Sequence, residues 1–122
     1  MPIYHTIDHL TADLTDMATG AKRHLAVAVR DSAEFGNKVG KAFAKVSAGD
    51  HGKHYHRAWT VERRELLSYE YGPDAARPQG GMSFERGSRN QPPHLDLARA
   101  ADLTGPLLAT AVRYALDQIF WP

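Results

Sequence analysis

Three neighbouring histidines have the clearest potential for chemistry in this sequence. His51, His54 and His56 lie in the segment His-Gly-Lys-His-Tyr-His. His54 and His56 are separated by one residue, so on a strand their imidazoles would point to the same side. Together with a third ligand they could bind Zn²⁺. However, the chain has no cysteine, the segment has no carboxylate, and Lys53 lies between the histidines. We therefore expect no metal site and interpret the segment as an exposed polar loop that leads into a strand.

Basic and aromatic residues surround these histidines. Residues 41–64 include six Lys or Arg against two acidic residues, with Tyr55 and Trp59 among them. Cations in such a pattern can follow a nucleic-acid backbone while aromatic rings stack on bases. The simpler interpretation is a solvated basic face with two core aromatics. If the segment meets DNA, the candidate contacts are Lys53, His54, His56 and Arg57.

Motifs for catalysis are missing from the sequence. It contains no Gly-x-Ser-x-Gly nucleophile elbow and no phosphate-binding loop that ends in Gly-Lys-Ser/Thr. The acidic residues are scattered among Lys and Arg, which favours surface pairing over a tuned acid and base. We expect neither enzyme activity nor a cofactor.

The composition indicates a soluble chain with a thin core. Of 122 residues, 18 are Ala, whereas Leu, Ile, Val and Phe together number 24, and the net charge is +1. The longest apolar run, residues 25–29, is far shorter than the roughly 20 residues of a membrane span. A near-neutral chain with so few large apolar residues is expected to complete its burial against partner subunits.

Apolar and small residues at alternating steps of three and four predict a long helix over residues 1–46. Gly20 leaves open whether this helix is continuous or consists of two segments that meet near residues 19–20. The small residues at 47–52 predict a break.

A small antiparallel sheet is predicted over residues 54–87. Period-two patterning favours strands on both sides of a charged turn at 62–65 and a short strand at 82–86. Residues 74–81 are expected to form a hairpin loop or a flexible excursion. C-terminal helices are predicted over residues 95–120, with a break at 104–106 because Pro106 follows Gly105. The prediction is thus a single α+β domain over residues 1–122, with the C-terminal helices packed on the sheet.

The most specific stretch lies in the second half of the chain. Residues 69–73 read Tyr-Glu-Tyr-Gly-Pro, and residues 83–95 read Ser-Phe-Glu-Arg-Gly-Ser-Arg-Asn-Gln-Pro-Pro-His-Leu before an Ala-rich helix. This arrangement resembles the small tail-component family of long-tailed bacteriophages. In that family a strand is followed by Glu, an aromatic residue, Gly and Thr or Ser, then by a Pro/His link and a closing helix. Residues 84–88 match that signature here, with Arg86 at the position that is usually aromatic.

The resemblance implies a structural virion protein of the neck, where the capsid connector joins the tail tube. Such a tail-completion protein is expected to form a homo-oligomeric ring, commonly six-fold, around the channel for viral double-stranded DNA. Its other partners would be neck and tail proteins: a stopper, a tail terminator or the tail tube. It would assemble in the host cytoplasm, reside in the virion and contact no membrane.

Under this interpretation the link after the sheet is an interface and the basic segment faces the channel. The candidate interface residues are Arg86, Arg89 and His94. Two alternatives remain: a tail terminator of the same assembly, or, from another class, a small basic nucleic-acid-binding module.

Overall fold

The computed structural model describes residues 6–89 and 92–121. Its elements in chain order are α1 (Ile7–Ala48), β1 (Trp59–Glu65), β2 (Ser68–Pro73), α2 (Ser83–Arg86) and α3 (Asp96–Phe120), with 3-10 turns at Gly49–Gly52 and His56–Ala58. The prediction of an α+β fold with a long N-terminal helix, a small antiparallel sheet and C-terminal helical packing is confirmed. No helix in the described part of the chain is long and apolar enough to cross a bilayer.

Helix α1 is continuous over 42 residues, or about 60 Å at 1.5 Å per residue. Thr6 caps its start, since Thr6 Oγ1 accepts a hydrogen bond from His9 N at 3.1 Å. The helix runs through Gly20 without a break, and it ends where Gly49 adopts a φ of 58°. All of its buried residues lie at Ala28 or later, and its first turns, residues 7–18, project from the rest of the subunit.

The sheet consists of two strands. β1 and β2 pair antiparallel, with Val61 opposite Tyr71 and a bulge between Arg63 and Glu65. The turn predicted at 62–65 is wrong: those residues belong to β1, and the chain reverses just after them. A two-stranded hairpin is marginal in water by itself. This hairpin gains its support from α1, against which both strands pack.

The strand predicted at 82–86 is also wrong, because Ser83–Arg86 forms a single helical turn. On a strand, Phe84 and Glu85 would point to opposite faces. Here both are buried, Phe84 among the core aromatics and Glu85 at the start of α3. Consequently residues 74–81 connect β2 to this turn and are not a hairpin loop within the sheet.

Helix α3 is one helix, so the predicted break at 104–106 does not occur. It runs antiparallel to α1: Asp96 contacts Ser47 near the end of α1, whereas Thr104 lies beside Gly36. Pro106 removes one hydrogen bond from the interior of α3. Contacts with α1, the most extensive between any two elements, offset that cost.

The core is a cluster of aromatic rings on the small-residue face of α1. Tyr55 stacks on Phe84 with ring centroids 4.5 Å apart and meets Trp59 edge-on at 6.0 Å. These rings lie against Ala44 and Ala48. Trp59 also covers Gly40 so closely that a Cβ atom there would overlap the indole ring. Gly40 therefore allows close approach between the sheet and the helix.

Replacing Gly40 by Ala is expected to destabilise the protein. The gain in helix propensity, about 1 kcal/mol, is outweighed by displacement of Trp59, for a net loss of about 1–3 kcal/mol. Gly20→Ala is the matched control, since no neighbouring atom lies within 4 Å of its Cβ position, and it should stabilise α1 by up to about 1 kcal/mol. Urea unfolding measures both changes. A Gly40→Ala protein as stable as the parent would contradict the close contact.

Candidate functional site

Four segments of the chain meet at a group of polar side chains that we call the polar joint. They are the last turn of α1, the turn α2, the link before α3 and the first turn of α3. The members of the joint are Ser47, Glu85, His94, Asp96 and Arg99.

Asp96 lies at the centre of the joint and is completely buried. Ser47 Oγ donates to Asp96 Oδ2 at 2.7 Å, and Arg99 Nη2 donates to Asp96 Oδ1 at 2.6 Å. Both carboxylate oxygens are thereby paired, which a buried charge requires. The result is a charged connection from α1 to α3.

The joint contains Ser, His and Asp, but its geometry is not that of a nucleophilic triad. In a triad the histidine accepts the serine proton and is itself oriented by the carboxylate. Here the Ser47 hydroxyl directs its proton to Asp96, so His94 Nδ1, 3.0 Å from Ser47 Oγ, must be the donor in that contact. His94 Nδ1 and Asp96 Oδ2 are 4.0 Å apart. The arrangement holds Ser47 in place and gives it no base.

Glu85 binds the N-terminus of α3. Its Oε1 accepts from Leu97 N at 2.6 Å and from Ala98 N at 3.3 Å, while Oε2 accepts from Leu97 N at 3.1 Å. These amides have no partner within the helix, and a carboxylate also suits the positive end of the helix dipole. The segment that precedes α3 lies beside α2, where His94 N donates to Phe84 O at 2.8 Å. Of two consecutive residues, Phe84 thus belongs to the aromatic core and Glu85 to the joint.

Tyr55 is buried beneath this joint. Its hydroxyl makes no hydrogen bond of good geometry with any described residue, and its polar neighbour is the Trp59 indole. Burial raises the pKa of the Tyr55 phenol, the nearby carboxylates of Asp96 and Glu85 raise it further, and Trp59 lowers it by less. The ring therefore contributes to the core as a neutral group.

The histidines and the neighbouring lysines and arginines form a basic face. Lys53 and Arg57 are exposed, and His54 and His56 are half-buried. The pKa of His56 is lowered, first by burial and then by the positive charges of Arg57, Lys45, Lys41 and His54. The structure thus adds Lys41 and Lys45, which lie one helical turn apart on α1, to the residues predicted from sequence.

The histidines do not lie on a strand. His56 is in a 3-10 turn, and His54 is held in a turn by its N–H, which donates to Gln79 Oε1 at 2.8 Å. Gln79 Nε2 also donates to His51 O at 2.8 Å, so the 74–81 connection fastens this segment. Over residues 6–89 and 92–121, no three His, Asp or Glu side chains are grouped to hold a metal ion.

The three residues predicted as an interface occupy different environments. Arg86 and Arg89 are exposed. His94 is mostly enclosed: it meets Ser47 and lies edge-on to the Phe84 ring with centroids 5.4 Å apart. Arg86 and Arg89 thus have surface available for a partner, whereas His94 is part of the joint.

A second cationic feature is an open cleft of about 540 Å³ between α1 and the tip of the hairpin. Its basic side chains are Lys22, Arg23, Arg30 and Arg63, and its apolar floor includes Leu66 and Tyr69. Nothing in the linear order of the residues links Arg63 to the cations of α1. Only the register of the hairpin and its packing on the helix bring them together.

Large apolar side chains are exposed on both long helices. On α1 they include Ile7, which is 80% exposed, and Leu14; on α3 they include Tyr114, Phe120 and the adjacent Trp121, which is 81% exposed. Single exposed apolar residues are ordinary, but groups of them on an unpacked helix mark interaction surfaces.

The chain was compared with protein-family models, with curated proteins and with solved structures. None of the three comparisons finds a match.

Glu85→Ala is expected to destabilise the protein by about 1–2 kcal/mol, because it removes the cap from two amides in the first turn of α3. Glu34→Ala is a suitable control because Glu34 is exposed on α1, and it should change stability by less than about 0.5 kcal/mol. Chemical unfolding followed by circular dichroism compares the two. Equal, small effects would show that Glu85 does not hold α3.

Tyr55 should make stability fall at high pH. Because its pKa is higher in the folded than in the unfolded chain, its contribution is complete below the ordinary value of about 10 and is lost as pH rises above it. Tyr55→Phe removes this loss and should change stability by less than about 1.5 kcal/mol at pH 7, because the hydroxyl has no hydrogen bond of good geometry. Unfolding free energies of both proteins from pH 8 to 11 measure the difference. Parallel curves would contradict the assignment.

Proposed function

We propose that this protein is a structural subunit of the neck of a tailed bacteriophage. In this role several copies form a ring that completes the tail and joins it to the capsid connector around the DNA channel. The proposal combines the family resemblance in the second half of the chain with the unusually large surface of the single subunit.

The surface area is the observation on which this proposal chiefly rests. The subunit exposes 8662 Å², whereas a compact monomer of 13.5 kDa exposes about 6,500 Å². The excess is explained by the projecting first turns of α1, residues 7–18, and by the apolar residues left exposed on α3. A chain of this shape is suited to burying its remaining apolar area against other copies of itself.

A ring requires contacts between unlike surfaces. When one surface of a subunit binds a different surface of the next, the series closes if the rotation between neighbours divides a full turn. The projecting helix and the packed end of the subunit are different surfaces, so they meet this requirement. We propose six copies, the number common among neck proteins that this chain resembles.

The basic face supports contact with DNA in the channel. Lys41, Lys45, Lys53 and Arg57 form no ion pair with any described residue, so their charges are available to phosphates. The exposed Arg86 and Arg89 are proposed to contact the neighbouring neck or tail protein. The same basic face is the specific observation that favours the second candidate, a monomeric nucleic-acid-binding module.

Mass photometry and electron microscopy of the purified protein, alone and with the connector and tail-tube proteins of the same virus, test the proposal. The expected result is a ring with a central channel wide enough for duplex DNA. Lys41→Ala/Lys45→Ala should leave the ring intact and reduce the salt dependence of DNA binding by up to about two units in the log–log slope. A protein that remains monomeric with every partner, yet binds DNA with a steep salt dependence, would support the module instead.

A further inference from the structure

The first turns of α1, residues 7–18, form a projecting arm with a distinct chemistry. None of these residues is buried. Ile7, Leu10, Leu14 and Met17 recur at steps of three and four, so they lie along one face of the helix. An apolar helical face without a cover in its own subunit requires a complementary surface elsewhere.

The arm is also acidic. Asp8, Asp13 and Asp16 are exposed, and the first Lys or Arg of the chain is Lys22. Asp13 flanks the apolar face, and the other two carboxylates lie within the same three turns. The arm therefore presents an apolar face together with concentrated negative charge.

The cleft between α1 and the hairpin has the opposite character. It is lined by four basic residues, and no acidic residue lines it. Of the four, Lys22, Arg23 and Arg63 form no ion pair with any described residue, whereas Arg30 pairs with Asp31 at 3.1 Å. Leu66 and Tyr69 supply apolar surface between these charges. An acidic helix with an apolar face would satisfy both features of the cleft.

The arm cannot reach the cleft of its own subunit. Arm and cleft share one uninterrupted helix, in which the cleft begins at Thr19, immediately after the arm. The arm could fold back onto the cleft only if α1 broke between them, but α1 is continuous through Gly20. The acidic arm that enters the cleft must therefore come from another molecule.

We propose that the arm of one copy of this chain binds in the cleft of the next copy. The inference rests on the proposed function, for which it supplies the contact between subunits. The lengths agree: the helical wall of the cleft, Thr19 to Arg30, spans about 16 Å, and residues 7–17 span about 15 Å. Each copy gives one arm and receives one, which is the head-to-tail contact that a closed ring needs.

Charge reversal tests the contact in two separate proteins. Asp13→Lys/Asp16→Lys makes the arm basic, and Lys22→Glu/Arg23→Glu makes the cleft acidic. Each variant alone should associate at least about tenfold more weakly than the parent, because like charges then face each other. When mixed in equal amounts, the two should assemble again, because every arm then finds a cleft of opposite charge in the other variant. Because each variant can then bind only the other, the two must alternate around a ring, and mixed rings should contain an even number of subunits.

Lys38→Glu/Arg113→Glu is the matched control. It reverses two exposed charges on the two long helices outside the cleft and should leave self-association within about twofold of the parent. Far-ultraviolet circular dichroism verifies that each variant is folded. Sedimentation equilibrium measures association of each protein and of the equimolar mixture at low salt and at 0.5 M salt, where the charge effects should shrink.

The outcomes separate this contact from the ring itself. If both reversal variants form rings as readily as the parent, the arm–cleft contact is overturned while the proposed ring stands. If each variant fails and the mixture fails as well, the two surfaces do not bind each other, and the contact is again overturned. If the parent chain does not associate at millimolar concentration or with its neck partners, both proposals are overturned.

Discussion

The contact between Trp59 and the backbone of α1 is the constraint on which the rest of this structure depends. The hairpin has two strands and no second sheet layer, so it persists only where its first residue anchors it on the helix. The anchor requires a helix surface with no side chain in the way, which Gly40 provides. Tyr55 and Phe84 then pack around the indole, and Tyr71 lies against the same cluster.

The polar joint and this aromatic cluster depend on each other. Phe84 belongs to the cluster and Glu85, the next residue, holds α3, so a single helical turn places one side chain in each. Ser47, near the end of α1, fixes the same helix from the other side through Asp96. The aromatic cluster and the polar joint therefore both lie at the C-terminal end of α1. At the opposite end of α1, residues 7–18 include no buried residue, and Ile7, Leu10 and Leu14 are exposed.

The long N-terminal helix, an antiparallel pair of strands and the helical C-terminus could be predicted from the sequence, because each has its own local periodicity. Tyr55 and Trp59 could likewise be interpreted as core aromatics, and both are buried. The turn at α2 could not be predicted: alternating residues at 82–86 are typical of a strand, and only tertiary contacts require Phe84 and Glu85 to be buried together. The break predicted at Pro106 was wrong for a similar reason. Proline usually ends a helix, but the packing of α3 on α1 keeps the helix continuous through this residue.

The basic face and the cleft differ in how far each could be predicted from the sequence. Lys53, His54, His56 and Arg57 are close in sequence, and the structure keeps them together on the basic face. Lys41 and Lys45 belong to the same face. Their spacing of four residues on a helix is a local pattern, from which a shared face can be predicted. The cleft depends on Arg63, Leu66 and Tyr69 meeting α1 across the fold, and no local pattern contains that information.

The two halves of α1 draw their stability from different sources. Beyond Ala28 the helix is held by the core and by α3, whereas residues 7–18 begin at the Thr6 cap and include no buried residue. An isolated helical segment of that length is marginal in water, because nucleation is costly and propagation gains little per residue. In the proposed ring, a neighbouring subunit that covers these residues would also stabilise their helical order. Each such contact would then be cooperative with folding of the first turns of α1, which would make the first encounter between subunits weak.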